Sequence, residues 1–516
     1  MTETGADALL AEAAARGARI VFANPGTTEL PLVTAVEDAS TIRPVLGLFE
    51  GVCTGAADGY SRVSGEIALT LLHLGPGLSN GLANLHNAQR AVGRVINIVG
   101  DYRADLRNAE PGLASDIEAL AGGVSRWVRT ARAAGELSRD MAEAAAAVTP
   151  VGVATLVVPS DVQAETAPNT AATLVTRGPG VTASAVEEAA RALADAGRSS
   201  ALLLGGRMDA GTLRAAGVVA AATGARLFGH RSPAYLDRGD GLPTPVPLGR
   251  DAAALRRQLG DLEVVVLVGA REPVPLFAGP GEPFRSVSAD ARVVVLATVG
   301  DDVPGAVEAL AGAVGGARAS GATGTRLELP DLPPAGAAPD ARALAATVAA
   351  LQPEGAIVVD EAISSRAEYY ELAAASPPHT LLGLPGGAIG QGVPLATGAA
   401  LAAPGRRVIA VVGDGSALYT IQALWTQARE RLDVTTIICS NRSYAVLRRE
   451  LARGGFPDPG PRAASLLDLD PALDWPALAG SFGVPATRAE TTGELAGALR
   501  RSLGTDGPHL IEAVMP

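Results

Sequence analysis

The 516-residue sequence predicts an α/β protein of three doubly wound parallel-sheet domains. Short apolar runs alternate with helix-patterned stretches along almost its whole length, as βαβ units do. Hydrophobic residues make up 48% of the chain but aromatics only 3%, so Ala, Val and Leu must build the cores. Two stretches rich in Pro and Ala interrupt the alternation, and a chain of this length exceeds the size at which one core keeps growing.

The N-terminal run MTETGADALLAEAAARGARIVFANPG reads as an amphipathic helix followed by a strand, without the basic and then apolar pattern of an export leader. Next come VLGLFE, a helix ending near Gly65, IALTLLHLG, a second helix and RVINIVGD. The segment Ala167–Thr182 forms a first linker. Beyond it SSALLLGG, ARLFGH, LEVVVLVGA and ARVVVLAT repeat the alternation. A second linker, LPDLPPAGAAPDA, spans Leu329–Ala341, and GAIVVDEA, RRVIAVVGDG, VTTIICSN and HLIEAV supply the last set of strands. The expected domains are therefore 1–166, 183–328 and 342–516.

The net charge of −12, from 42 basic and 54 acidic residues scattered without long runs, argues against a nucleic-acid or anionic-membrane surface. Small molecules are the expected partners. No apolar run reaches the roughly 18 residues that span a bilayer, because Gly or Pro stops each one sooner. Cys53 and Cys439 cannot form a disulfide framework, and no Cys/His cluster suggests zinc. A reducing cytoplasm is the expected compartment.

The densest chemistry lies between Arg406 and Tyr444. A strand, RRVIAVV, leads into Gly413-Asp414-Gly415-Ser416. A helix follows, on which Leu418, Ile421, Leu424, Trp425 and Ala428 recur at helical spacing, and then a strand ending at Asn441. A right-handed crossover places the carboxyl ends of both strands at one sheet edge, where open α/β folds bind ligands. Asp414 and Asn441 meet there, each offering a hard oxygen of the kind magnesium prefers. Gly413 and Gly415 allow close backbone approach, and the amides opening the helix near Ser416 suit phosphate oxygens. An isolated GDG is equally consistent with a plain strand-to-helix turn capped by Asp414. The downstream Asn separates the two readings.

GDG, helix, strand and Asn at this spacing resemble the magnesium- and diphosphate-binding motif of thiamine-diphosphate-dependent enzymes. The resemblance implies that Asp414, Asn441 and the carbonyl of Ser443 hold Mg2+, with Tyr444 at the cofactor. Ser440 replaces the first residue of the family's Asn-Asn pair, which is not a ligand. In the first domain, VLGLFEGVCTGAADGYSRVSG resembles the family's pyrimidine-binding domain and puts Glu50 where a carboxyl exchanges a proton with the aminopyrimidine ring. Alone, Glu50 reads as a helix N-terminal acid favoured by the macrodipole. Together the two motifs imply a pyrimidine-binding domain, a central domain and a diphosphate-binding domain, in that order.

The likeness extends to the acetolactate synthase and benzoylformate decarboxylase branch. FANPGTTELP places Thr27 at an active-site serine position, and LLHLGPGLSNGLANLHNA places His73 at a catalytic histidine. In GGAIGQGVP the carbonyl of Gly387 matches the acceptor for the cofactor's amino group, and Ile389 matches the aliphatic residue that holds its bent shape. Ser364 matches a diphosphate contact. The segment Gly269–Gly281 carries no histidine, although the decarboxylase has a second one there. Losing a proton donor weakens simple decarboxylation and leaves room for carboligation, as in acetolactate synthase.

The implied substrate is a 2-oxo acid, and the implied assembly a homodimer or homotetramer. FAD, which some synthases hold, has only weak support from the Gly-bearing strand ends LLLGGR and VVVLVGARE. No GxGxxG with a downstream acid supports a dinucleotide oxidoreductase. A non-catalytic cofactor-binding homologue would be expected to lose some of Glu50, His73, Asp414 and Asn441. Cys53 and Cys439 read as inert buried thiols, His86 as near the site, and His230, His379 and His509 as packing or surface residues.

Overall fold

The computed structural model describes residues 3–107, 109–167, 180–277, 281, 284–315 and 328–516. Residues 168–179, most of the expected first linker, lie outside them, as do 278–280 of the Gly269–Gly281 segment. The described residues form two compact units. One gathers those within Met1–Thr176, Leu329–Ala373 and Gly386–Pro516; the other gathers those within Arg177–Glu328 and Ala374–Pro385.

The first unit contains two parallel sheets. The N-terminal sheet is built from β1 (Ile20–Asn24), β2 (Arg43–Leu46), β3 (Ile67–Leu72), β4 (Arg94–Asp101), β5 (Trp127–Thr130) and β6 (Gly152–Pro159). Their order is β2-β1-β3-β4-β6-β5, and every pair is parallel. All six residues of β3 and all eight of β6 are buried, as expected of apolar runs covered on both faces. Val21, Leu69, Ile98 and Leu156 pack with Leu9, Leu10 and Met141 of the flanking helices. β5 has four half-buried residues, including Trp127 and Arg129, and its mixed pattern hid it in the sequence.

In the C-terminal segment of this unit the parallel strands run in the order Ala486–Ala489, His509–Val514, Val434–Ser440, Val408–Gly413, Ile357–Glu361. Gly413 pairs with Cys439 in register, so Asp414 and Asn441 leave the sheet side by side. The helix expected over SALYTIQALWTQARERL, residues 416–432, is broken. A four-residue turn of helix, Asp414–Ala417, is followed by turns and then by the helix Ala423–Glu430. Thr420 is the reason: its side chain donates to the carbonyl of Gly390 at 2.7 Å, tying the intervening turn to a loop rather than to the next turn of helix.

Two helices join these sheets almost backbone to backbone. Glu50–Ser64 ends at Gly65 in the left-handed conformation, φ 77°, and thirteen of its residues are buried. It lies against the helix Gly392–Ala402 through small residues. A Cβ on Gly59 would strike the carbonyl of Leu395, one on Gly398 that of Ala56, and one on Gly55 would stand 2.8 Å from Pro394 Cγ.

The second unit has a five-stranded parallel sheet ordered Val246–Pro247, Arg226–Gly229, Ser200–Leu204, Val264–Val268, Arg292–Ala297. Leu203, Phe228, Leu255 and Val265 form its core. An antiparallel pair, Tyr235–Arg238 with His379–Leu382, departs from the all-parallel expectation. Among the described residues no helix is long and apolar enough to cross a membrane.

Candidate active site

Asp414 opens its helix at the carboxyl edge of the C-terminal sheet and is 4% exposed. Its Oδ1 accepts the amide N–H of Gly415 at 2.8 Å, and its Oδ2 accepts that of Arg442 at 2.6 Å. The carboxylate thus ties together the ends of two neighbouring strands. Burial pushes its pKa up, opposed by amides at Gly415, Arg442 and Asn441. Asn441 Oδ1 accepts the Ser443 N–H at 3.0 Å, and Arg442 between them has φ 53°, a left-handed conformation costly for a side chain with a Cβ.

This donor set suits magnesium. A buried carboxylate held by neutral amides retains uncompensated charge, and the amide oxygen beside it is likewise a hard ligand. Among the described residues no group of three or more His, Cys, Asp or Glu could hold a metal, so an ion at this edge would lean on amide and main-chain oxygens beside the one carboxylate. Gly415 lies under the ring of Tyr444: a Cβ there would be 2.6 Å from it. Burial raises the Tyr444 hydroxyl, and Tyr419 and Asp414 add to the effect. Ser440 turns into the sheet and donates to Glu512 Oε1 at 3.0 Å, away from the oxygens of Asp414 and Asn441.

The segment Gly386–Gly392 is gripped from several sides. Asn87 reads the backbone of Ala388 twice, donating to its carbonyl at 2.7 Å and accepting its N–H at 3.1 Å. His86 Nε2 stands 3.1 Å from the carbonyl of Gly386, where it can donate. Gln391 donates to Asp58 Oδ2 at 2.5 Å, and Asp58 is also paired with Arg62 in a wholly buried ion pair. Glu361, at the end of the strand Ile357–Glu361, accepts the Gly390 N–H at 2.5 Å and the Gly392 N–H. Burial lifts its carboxyl to about 7, against the opposing pull of the amides of Gly390, Gly392 and Gln391 and of Arg366. Between these anchors Gly387 is exposed and Ile389 half-buried.

Glu50 is the first residue of its helix and 8% exposed, four residues beyond the end of β2. Asn80 donates to its Oε2 at 2.9 Å, and a Cβ on Gly77 would lie 3.2 Å from its Oε1. His73 follows β3 directly and precedes Leu74, which is held at φ 54°. Its Nδ1 stands 2.8 Å from Glu29 Oε2 and 3.2 Å from Thr28 Oγ1. Glu29, fully buried, also accepts the Gly26 N–H at 2.7 Å and the Thr28 hydroxyl at 2.5 Å. A carboxylate only accepts, so the network is satisfied when Nδ1 carries the proton, which leaves Nε2 for exchange elsewhere.

The hydroxyl that meets His73 belongs to Thr28; Thr27 is exposed at the head of the same turn. Ser364 follows Ile363, held at φ 44°, and its carbonyl accepts from Arg449 at 3.0 Å. Left-handed non-glycine residues thus adjoin His73, Ser364 and Asn441, and such strain collects where a site demands it. Sequence reasoning missed Glu29, Thr28, Asn87 and Glu361. ELP after the turn and DEA after a strand were visible, but nothing in their spacing shows which backbone they hold. Cys53 and Cys439 are buried, and burial pushes both thiols up, which disfavours the reactive thiolate at each.

Comparison with known proteins gives this geometry a lineage. Residues 3–120 match the thiamine pyrophosphate enzyme N-terminal TPP-binding domain, and residues 364–513 the C-terminal TPP-binding domain. The chain is 44% identical to the Mycobacterium tuberculosis protein named "Putative acetolactate synthase large subunit IlvX", over 99% of both chains. It is 30% identical to benzoylformate decarboxylase of Pseudomonas aeruginosa, over 96% of both. The solved thiamine diphosphate-dependent 4-hydroxybenzoylformate decarboxylase of Rhodococcus jostii RHA1 superposes with TM-score 0.85 at 27% identity, covering 99% of each chain. With both cofactor-binding domains present in order and relatives matched end to end, the chain belongs to the family of thiamine-diphosphate-dependent enzymes and is related to acetolactate synthase and benzoylformate decarboxylase.

Proposed function

We propose that the protein, with magnesium, decarboxylates a 2-oxo acid and joins the remaining fragment to an acceptor carbonyl, in the manner of an acetolactate synthase. Bound thiamine diphosphate supplies the electron sink that lets the substrate lose carbon dioxide. In this reading Asp414, Asn441 and the carbonyl of Ser443 hold the metal, while Gly413, Gly415, Ser416, Tyr444 and Ser364 line the diphosphate. The carbonyl of Gly387 and the side chain of Ile389 orient the reactive half. Glu50 moves a proton to and from the aminopyrimidine; His73, its Nδ1 held by Glu29 and Thr28, exchanges a proton with the substrate at Nε2, and Thr27 offers its exposed hydroxyl from the same turn.

The domains of this proposal are 1–166 for the pyrimidine, 183–328 in the centre and 342–516 for the diphosphate. A homodimer or homotetramer is part of the reading. It is supported by the apolar surface following Asn441, where Leu447 is 45%, Phe456 64% and Leu466 77% exposed.

The observation that carries the carboligase reading is the supply of protons. His73 is clamped by Glu29, but the segment Gly269–Gly281 contains no second histidine. A positioned acid typically speeds protonation by about 10²- to 10⁴-fold, so its loss lengthens the time in which an acceptor can capture the fragment. The intact His73–Glu29 pair favours a second reading, a simple decarboxylase of the benzoylformate decarboxylase type. Incubation with a panel of 2-oxo acids, with and without excess aldehyde acceptors, followed by mass spectrometry of the products, separates the two. Ligated 2-hydroxy ketones support the proposal. Aldehyde as the sole product with acceptor in excess overturns it in favour of the decarboxylase, and no consumption of any 2-oxo acid overturns both.

A further inference from the structure

We propose that Glu361 is a positioning residue for the cofactor: its buried carboxylate gathers the amides of Gly390, Gln391 and Gly392 and so shapes the segment that presents Gly387 and Ile389. The inference rests on the reading of Gly387 and Ile389 given above.

The geometry carries it. Glu361 is fully buried, and its two oxygens take separate amides, Oε1 that of Gly390 at 2.5 Å and Oε2 that of Gly392, while Gln391 contributes a third. Three successive amides turned onto one anion form a backbone nest, and the helix Gly392–Ala402 starts at the same point, where the field of its first turn favours negative charge. The backbone lies hard against the carboxyl, for a Cβ on Gly392 would be 2.6 Å from Oε2. Gly390 itself has φ 93°, and its carbonyl is held by Thr420 at 2.7 Å.

Anchors therefore occur at 386, 388, 390, 391 and 392, and the residues assigned to the cofactor fall between them. Asn87, His86 and Asp58 grip this segment from the side of the N-terminal sheet, Asp58 by accepting from the Gln391 side chain. Glu361 does so from the strand that also leads to Ser364, and so it links two cofactor-facing segments in one carboxyl group. The arrangement differs from an ordinary helix cap because the acid comes from another strand. A Gln here keeps the shape but must aim its NH2 at one of the amides, donor against donor, which forces the nest to open.

The test compares wild type, Glu361→Gln and Glu361→Asp. Thiamine diphosphate affinity is measured calorimetrically at saturating magnesium, the cofactor KM is measured against kcat, and amide hydrogen exchange is followed in the cofactor-free protein. Glu361→Gln should weaken cofactor affinity roughly 10- to 100-fold, the loss of one to two charge-assisted hydrogen bonds, with most activity recovered at saturating cofactor. Exchange at 390–392 should rise at least about tenfold while the sheet strands stay protected, and Glu361→Asp, which keeps the charge on a shorter arm, should recover part of the affinity. The inference is overturned if Glu361→Gln binds with wild-type affinity. It is also overturned if kcat falls while the cofactor KM is unchanged, or if exchange rises equally across the whole sheet. Failure of wild type to bind thiamine diphosphate would instead sink the cofactor assignment of Gly387 and Ile389, and the exchange measurement would still decide whether Glu361 holds the segment.

Discussion

Asp414→Asn removes a charge and keeps a shape, and the structure sets the size of its effect. Both carboxylate oxygens accept amides, from Gly415 at 2.8 Å and Arg442 at 2.6 Å, in a setting that leaves the residue 4% exposed. An Asn can accept only one and must turn its NH2 toward the other. A hydrogen bond to a charged group contributes about 1.5–3 kcal/mol, so the two strand ends lose about that much of their tie, and under the proposed assignment the metal loses its one anionic ligand as well. Thiamine diphosphate affinity at saturating magnesium should fall at least about 10- to 150-fold, at about 1.4 kcal/mol per tenfold. Stability of the cofactor-free protein should change less, because burial raises the Asp414 carboxyl and removing that charge opposes the lost hydrogen bond. Calorimetric titration and melting with and without cofactor measure the two effects. Binding within threefold of wild type would refute the assignment of Asp414 as ligand and strand tie.

Glu50→Gln should retain cofactor binding, since Asn80 and the helix terminus still hold the side chain, yet lower turnover about 10²- to 10⁴-fold by removing the exchangeable proton; near-normal turnover would show another group is responsible. Gly398→Ala places a methyl against the Ala56 carbonyl and should reduce stability by about 1–3 kcal/mol in urea unfolding, and an unchanged midpoint would mean the two helices are not so closely packed. Glu361 has a folded-state value near 7, above the ordinary 4.5, so its contribution to stability is fully present below pH 4.5 and lost as pH rises through 7. Subtracting the Glu361→Gln stability curve from that of wild type should reveal a fall on the order of 3 kcal/mol between pH 4.5 and 8; parallel curves would contradict it.

Much of this was legible because it is local. The GDG turn, the apolar strand before it and Asn441 after the next strand specify a βαβ unit, and parallel pairing of Gly413 with Cys439 then forces Asp414 and Asn441 together. Long strands such as β3 and β4 showed as apolar runs. The half-buried strand Trp127–Thr130 did not, since its residues satisfy neither a buried nor an alternating pattern. The helix after GDG looked continuous because its apolar spacing is helical; what breaks it is a bond from Thr420 to Gly390, thirty residues away, which no window along the chain can contain.

The residues that hold the site, as opposed to those that face it, were illegible for a related reason. Glu29, Glu361 and Asn87 act on backbone groups or on a ring distant in the chain, and a backbone amide at Gly390 has the same chemistry as one anywhere else. Their value comes from burial. A carboxylate in water gains little from an amide, but one sealed at the edge of a sheet must be matched, and an unmatched one costs far more than a lost surface contact. The same burial that raises Glu361 toward 7 therefore makes its position demanding, and the backbone pays by adopting conformations such as those of Gly390 and Ile363. A site whose walls are mostly main chain leaves few side chains free to vary with substrate. Under the proposed function His73, with its Glu29 support, is one of those side chains, and the choice between protonating and ligating the fragment turns on the proton it holds.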